Sequence, residues 1–451
     1  MDALLHKNRV VCGCVVAMIA LGGWVATAAV TVFEHVNVIP MDSERVLVDQ
    51  TVIVSGGLIY WIGPATQARI PSSANVIHCN RQFYLMPGLA DMHTHAENLE
   101  DLRLYLANGV TTTLNMGNAS RTFVVETRKQ IEEGKILGPH VFAGFLIDGS
   151  PELGLYWVHD EEDARATVRR AREDGYEFIK VYNNLTAPEF SAIADESKKQ
   201  HLAVIGHGVR SVGLQKSFEQ GQVMVAHGEE YLYTYFARAA KNERGSMIAG
   251  AVEFTRNAGA YVTPNLSTYE AIPLQWGNPA QVRAFLKSPD VRYLRPAIRE
   301  RWADSDYARR PGTLDDNLQF LREFTGALSK AGVPLLLGTD SPNIPGMAPG
   351  FSIHDDLRNM IEAGLTPYEA LLAGTRVAGE FIRKTVPGAD RFGVVAVGSR
   401  ADLILTRLNP LLDVRNVENP VGVMVHGRWL AREEIRKMLN EAGLRYQSGM
   451  K

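Results

Sequence analysis

The chain has 451 residues, 46% of them hydrophobic and 22% charged, an ordinary globular composition in a length sufficient for more than one domain. Its 47 basic residues are outnumbered by 50 acidic ones, the formal net charge is -3, and no block of Lys or Arg stands out. This balance argues against a nucleic-acid partner, and no low-complexity tract or short internal repeat points to a disordered or solenoid chain.

The first segment is a leader. His6-Lys7-Asn8-Arg9 precedes an uncharged, mainly apolar stretch from Val10 to Phe33, with Ala26-Thr27-Ala28 near its end. A basic region, an apolar region and a small-x-small site describe a secretory signal peptide, here residues 1–29. The run is also long enough to cross a bilayer, so the rival reading is an uncleaved membrane anchor through residues 10–31. Both readings place the body of the chain outside the cytoplasm, the first as an exported periplasmic or secreted protein and the second as a membrane-anchored one. Of the three cysteines, Cys12 and Cys14 belong to the leader. Cys79 alone remains, so no disulfide framework is expected and this thiol reads as structural.

Residues 30–85 alternate in the manner of short strands with tight turns, as in Thr51-Val-Ile-Val54 and Leu58-Ile-Tyr-Trp-Ile62. The same texture returns over 386–435, in Ala401-Asp-Leu-Ile-Leu405 and Val421-Gly-Val-Met-Val-His426, before a helical tail over 436–451. These flanks suggest one small β-sandwich built from both chain ends. Between them, residues 86–385 repeat a strand-then-helix unit. Apolar β-type runs near Leu85, Val110, Val141, Ile179, Val204, Val225, Tyr261 and Leu336 make eight strands, which fits an α/β protein with a (β/α)8 TIM-like barrel. Thr186-Ala-Pro-Glu189 and Thr366-Pro-Tyr-Glu369 read as capping boxes, and Asn108-Gly109 and Asp174-Gly175 as helix stops.

Six polar residues stand on or just beyond these apolar runs: His93, His95, Lys180, His207, His227 and Asp340. Buried strands do not normally end in ionisable groups unless something charged awaits them, and a pair of divalent metal ions is the expected partner. Residues two apart on a strand point the same way, so His93 and His95 would both face the barrel axis. An H-x-H alone is weak evidence, arising by chance roughly 0.3 times in a chain this rich in His. What gives it weight is that the other four fall on matching strands, and active sites of this fold sit at the C-terminal face. Lys180 is the oddity, because an ammonium beside divalent cations is repelled. Reaction with carbon dioxide would turn it into an anionic carbamate whose two oxygens can each hold one metal; otherwise the lysine snorkels to solvent.

The constellation resembles the amidohydrolase superfamily, within it the imidazolonepropionase-like hydrolases and the Xaa-Pro and Xaa-Arg/Lys dipeptidases. The resemblance rests on Met86-Pro-Gly-Leu-Ala-Asp-Met-His-Thr-His95, Phe178-Ile-Lys180, Gly338-Thr-Asp340, Ala363-Gly-Leu-Thr-Pro-Tyr-Glu-Ala-Leu371 and Gly398-Ser-Arg-Ala-Asp-Leu-Ile-Leu405. It implies that His93, His95 and Asp340 hold a deeper metal and His207 and His227 an outer one, with carbamylated Lys180 and a hydroxide bridging them. It also implies that Asp340 is the catalytic proton carrier. Mononuclear deaminases of the superfamily carry a Glu three residues after the strand-five His, whereas His207 is followed by Gly208-Val209-Arg210, which favours hydrolysis. The segment Gly144 to Trp157 departs from the Gly-Gly-His-Gly run of many relatives, so their substrate contacts do not carry over to it.

Loops rich in large groups would shape the pocket for a small-molecule substrate: Tyr156 and Trp157, then Tyr231, Tyr233 and Tyr235, then the segment Ser267 to Pro311. That segment reads as a lid, and its Arg292, Arg295 and Arg299 are either ligands for a substrate carboxylate or a solvated helical face. The expected reaction is hydrolysis of an amide-type C–N bond in a dipeptide, N-acyl amino acid or cyclic amide. Hydrolysis of an ester, lactone or phosphotriester is the close rival, and a catalytically silent scaffold the rival from another class. Zinc is the expected metal, though these ligands also suit manganese, iron or cobalt, and assembly as a homo-oligomer stays open.

Overall fold

The computed structural model describes residues 30–117, 119–151, 156–314 and 317–447. The expected leader lies outside the described residues. Among the described ones no helix is long and apolar enough to cross a membrane.

Seven parallel strands form the barrel wall: β1 (Leu89–Thr94), β2 (Val110–Asn115), β3 (His140–Asp148), β4 (Phe178–Val181), β5 (Ala203–Gly206), β6 (Gln222–Ala226) and β7 (Tyr261–Thr263), paired in that order. The run expected as strand eight takes the eighth place without becoming a continuous ladder. Leu336 N donates to Val262 O at 2.8 Å on one side, and Met92 N donates to Leu337 O at 2.8 Å on the other. The ladder is weakened for a local reason: Pro334 has no N–H to give, and Thr339 N is shared between His93 O at 3.3 Å and the Asp91 carboxylate at 3.1 Å.

Inward residues such as Met92, Leu114, Ile205, Met224 and Leu336 pack into one buried cluster with Phe381 and Phe392. Phe381, on the helix Arg376–Thr385, meets Phe178 and Tyr261, the first residues of β4 and β7. That helix therefore closes the N-terminal end of the barrel and leaves the C-terminal mouth for chemistry. Both expected capping boxes are formed, at Thr186 with Glu189 and at Thr366 with Glu369. The expected stops are real too, with Gly109 at φ 81° and Gly175 at φ 84° following the last helical turns.

Eight further strands from the two chain ends form the small β-sandwich. Thr31–Val38 lies at its centre, antiparallel to Leu47–Ser55 and parallel to both Asn75–His78 and Tyr84–Pro87, while Leu403–Thr406 joins Tyr84–Pro87 from the C-terminal side. Cys79 is fully buried in this core, as its structural reading requires. The tail helix begins earlier than expected, at Arg432, directly after the strand Arg428–Ala431.

The segment read as a lid is a set of short helices tied to the body. Arg295 forks onto buried Asp101 at 2.6 and 3.0 Å, Arg299 donates to Tyr446 O at 3.0 Å, and buried Trp302 donates to Pro342 O at 2.9 Å. These two arginines hold the segment in place, and neither forms a solvated stripe.

Candidate metal centre

The strand ends deliver all six expected residues to the C-terminal mouth. His93 is the fifth residue of β1, and His95 follows that strand, fixed by a hydrogen bond from its N–H to Ser341 O at 2.7 Å. His207 directly follows β5 and donates its N–H to Val181 O, and His227 follows β6 and donates to Thr263 O. Gly206 makes the approach of His207 feasible, since at φ 121° a Cβ there would sit 2.4 Å from Val181 O. His227 and Asp340 themselves hold positive φ, 76° and 60°. Such conformations cost energy and cluster at functional sites.

Asp340 is the hub. Its Oδ1 lies 2.9 Å from His95 Nε2 and 3.4 Å from His93 Nε2, and its Oδ2 lies 3.8 Å from His227 Nε2. His207 is one step further, its ring 4.8 Å from that of His227. Lys180, 1% exposed, comes up from β4, with Nζ 5.8 Å from the Tyr182 ring, which in turn lies 3.9 Å from His207.

The electrostatics suit cation ligands. Burial, together with the neighbouring Lys180 and histidines, holds His93 well below the usual imidazole range, and burial and Lys180 do the same for His207. Burial is also the main reason His227 falls to about 3. Neutral imidazoles have lone pairs to give. Burial would raise Asp340, but the His95 hydrogen bond and the charges of His95, His227 and Lys180 outweigh it and hold the carboxylate at about 2. Desolvation brings Lys180 down to about 8 against the pull of Asp340 and Glu230.

Whether the pocket fits a metal can be judged from its unsatisfied atoms. Both ring nitrogens of buried His93, and Nδ1 of buried His227, have no hydrogen-bond partner among the described residues. Orphaned imidazole nitrogens in a dry site are costly unless they meet a cation. One donor atom each from His93, His227 and Asp340 lies within 4.8 Å of the others, so the residues fit a divalent ion.

The outer groups set the tautomers. His95 Nδ1 bonds Gly117 O at 3.1 Å, which leaves Nε2 toward Asp340. His207 Nδ1 bonds Glu230 Oε1 at 2.5 Å, which leaves its Nε2 unprotonated. Glu230 is itself held by Asn183 Nδ2 and Gly208 N, each at 3.0 to 3.2 Å. Under β1, buried Asp91 accepts from His93 N, Thr339 N and Thr339 Oγ1, and burial raises it to about 8. Sequence reasoning missed Glu230, Asn183, Asp91 and Tyr182. The available signal was the acidic doublet Glu229-Glu230 directly behind His227-Gly228.

Of the expected substrate contacts, Tyr231 must be corrected. It is fully buried on the short helix Glu230–Tyr233, its ring meets Phe254 and Phe324, and its hydroxyl bonds Thr255 Oγ1 at 2.7 Å. It points away from the mouth because Glu230, one position earlier, points into it. Tyr156 and Trp157 do form an extension beside the C-terminal end of β3 and are exposed, but Tyr156 rests on Phe145 and Arg170, and Trp157 on His159. The rings next to the ligands are instead Tyr182 and Tyr269, the latter edge-on to His227 at 5.7 Å.

Solved structures share this architecture. A bottromycin amidohydrolase is 24% identical with a TM-score of 0.70, covering 91% of this chain and 90% of its own. A Xaa-Pro dipeptidase with bound methionine in its active site is 19% identical with a TM-score of 0.66, covering 89% and 100%. A prolidase complexed with N-methylphosphonate-L-proline is 21% identical with a TM-score of 0.65, covering 90% and 100%. Identities this low speak for the fold alone. Among curated proteins, none matches this chain. The amidohydrolase family profile matches residues 84–430, most of the chain and both ends of the barrel, and the chain therefore belongs to the amidohydrolase family, hydrolases of carbon–nitrogen bonds.

Proposed function

We propose that the protein is an exported binuclear metallohydrolase that cleaves an amide bond in a small substrate, such as a dipeptide, an N-acyl amino acid or a cyclic amide. The observation that carries this reading is the convergence of four histidines, of which His93, His207 and His227 are held neutral by burial, with an ionised Asp340 and a desolvated Lys180 at one barrel mouth, where neither ring nitrogen of His93 has a hydrogen-bond partner among the described residues. The similar structures, a Xaa-Pro dipeptidase and a prolidase with a phosphonate-proline ligand, support an amide substrate.

His93, His95 and Asp340 would hold one cation and His207 and His227 the other, with Lys180 reaching both as a carbamate. Bound divalent ions, zinc foremost, supply a water of lowered pKa and polarise the scissile carbonyl. A lysine lowered to about 8 is partly neutral near physiological pH, and only the neutral amine adds to carbon dioxide. The new bond is N–C, and the proton released goes to water. Asp340, ionised and facing three imidazoles, takes the proton of the attacking water and delivers it to the leaving nitrogen. Glu230 keeps His207 in the tautomer that leaves Nε2 free.

The test compares two substitutions. Lys180→Arg keeps a cation but cannot form a carbamate, so it should lose at least one metal by elemental analysis and nearly all activity. Lys180→Ala should lose both as well, but its cavity admits a small carboxylate, so added formate or acetate should restore activity to Ala and none to Arg. Two metals and appreciable turnover in Lys180→Arg would rule the bridging carbamate out. A matched panel of dipeptides, N-acyl amino acids and esters then fixes the bond cleaved, and faster turnover of the esters would overturn the amide assignment.

A further inference from the structure

The end of the barrel opposite the catalytic mouth holds a second group of ligating side chains, where β3 begins. His140, 8% exposed, has Nδ1 at 2.9 Å from Glu132 Oε2, at the end of the helix Arg128–Glu132. Its Nε2 stands 3.4 Å from Asp402 Oδ1, and its ring lies 3.8 Å from the ring of His426. One donor atom from each of Glu132, His140 and His426 lies within 4.8 Å of the others. The buried Nε2 of His426 has no hydrogen-bond partner among the described residues.

The backbone under His426 is a separate observation. Val425 pairs with Arg428, so His426 and Gly427 form a two-residue hairpin turn, with φ of 50° and 73°. Asn, Asp or Gly normally fill the first position of such a turn, and a left-handed His is uncommon. The chain thus accepts a backbone cost to bring an imidazole from the sandwich to the base of the barrel, where its Nε2 finds no hydrogen-bond partner among the described residues.

We propose that Glu132, His140 and His426 form a second cation site, for a divalent transition metal such as zinc, that fastens the sandwich to the base of the barrel. Two imidazoles and a carboxylate are a common zinc set, with a fourth position left for water. With Nδ1 of His140 on the metal, its Nε2–H faces Asp402, the usual orienting partner of a ligating histidine. Asp402 is held in turn by Arg400 Nε at 2.8 Å, and Arg400 Nη2 reaches Thr112 Oγ1 on β2 at 2.8 Å. Asp402 takes up the Arg400 charge, so Glu132 remains the anion available to a cation. A path exists, since a cavity of about 390 Å³ is lined by Glu132, His140 and Arg400.

Zinc itself is the probe. The whole protein is equilibrated with zinc and dialysed, then its metal content and Tm are measured beside those of His426→Asn and His426→Gly. Asn and Gly both suit the turn, so each removes the imidazole and keeps the hairpin. Each variant should carry about one zinc fewer than the parent, lose a zinc-dependent rise in Tm of a few degrees, and keep kcat. Equal zinc content and an equal rise in Tm in the parent and both variants would overturn the proposal and leave an ion-pair network. The count is a difference between proteins with the same catalytic centre, so it stands apart from the occupancy of that centre.

Discussion

At the scale of single residues, the centre divides into groups that would touch the metals and groups that set the first ones. Glu230 is of the second kind. Glu230→Gln keeps the shape but cannot accept at both oxygens, and its amide would donate to His207 Nδ1, forcing the proton onto Nε2 where a metal should bind. We expect metal affinity to fall about 10- to 100-fold, the usual effect of losing such a partner, with one metal missing by elemental analysis. Two bound metals and parental kcat would refute the orienting role. Asp340 is of the first kind, and Asp340→Asn removes the only carboxylate among the six. Its kcat should drop at least about a hundredfold, the low end for general acid-base catalysis. Near-normal kcat with both metals bound would sink that role.

At the scale of elements, the strand ends were legible in the sequence and their surroundings were not. His93, His95, His207, His227 and Asp340 interrupt apolar runs, and such an interruption is visible in one dimension. Glu230 acts on His207 across 23 positions, and the direction of Tyr231 depends on the face its four-residue helix turns inward. The arginines of the 267–311 segment find Asp101 and the Tyr446 carbonyl, partners remote in the chain, so local spacing offered no sign of them. The eighth strand shows the same limit. Leu335-Leu-Leu337 signals a buried strand, yet Thr339 N divides its bond between the His93 carbonyl and Asp91, which only the closed barrel brings near. Gly338 is a point of close approach in that closure, because a Cβ there would lie 2.5 Å from Thr263 Cγ2 and 2.9 Å from His93 Cβ. Gly338→Ala should therefore displace His93 and cost about 1–3 kcal/mol of stability, as overpacking does. The expected readout is a lower Tm with reduced metal content. Full metal content and unchanged Tm would show that the barrel closes more loosely there.

At the scale of the molecule, the two chain ends share one sheet, and this decides where the chain can be shortened. Thr31–Val38 is no edge strand: Leu47–Ser55 and Tyr84–Pro87 flank it, and Asn75–His78 pairs along its first half. Phe33, Val36 and Val38 are fully buried in the sandwich core. Losing this strand would strip partners from three others and expose that core, whereas the proposed leader ends before it starts. We expect a chain beginning at Ala29 to be soluble and fully active, and one beginning at Ile39 to be insoluble or metal-free. Export supplies the cellular half of the test. The full chain expressed in a bacterium should yield a shortened product, begun near Ala29, outside the cytoplasm, and a full-length membrane-bound product would favour the anchor instead. If every chain lacking residues 1–28 is insoluble while the full chain is soluble, those residues belong to the fold, and the leader reading is wrong.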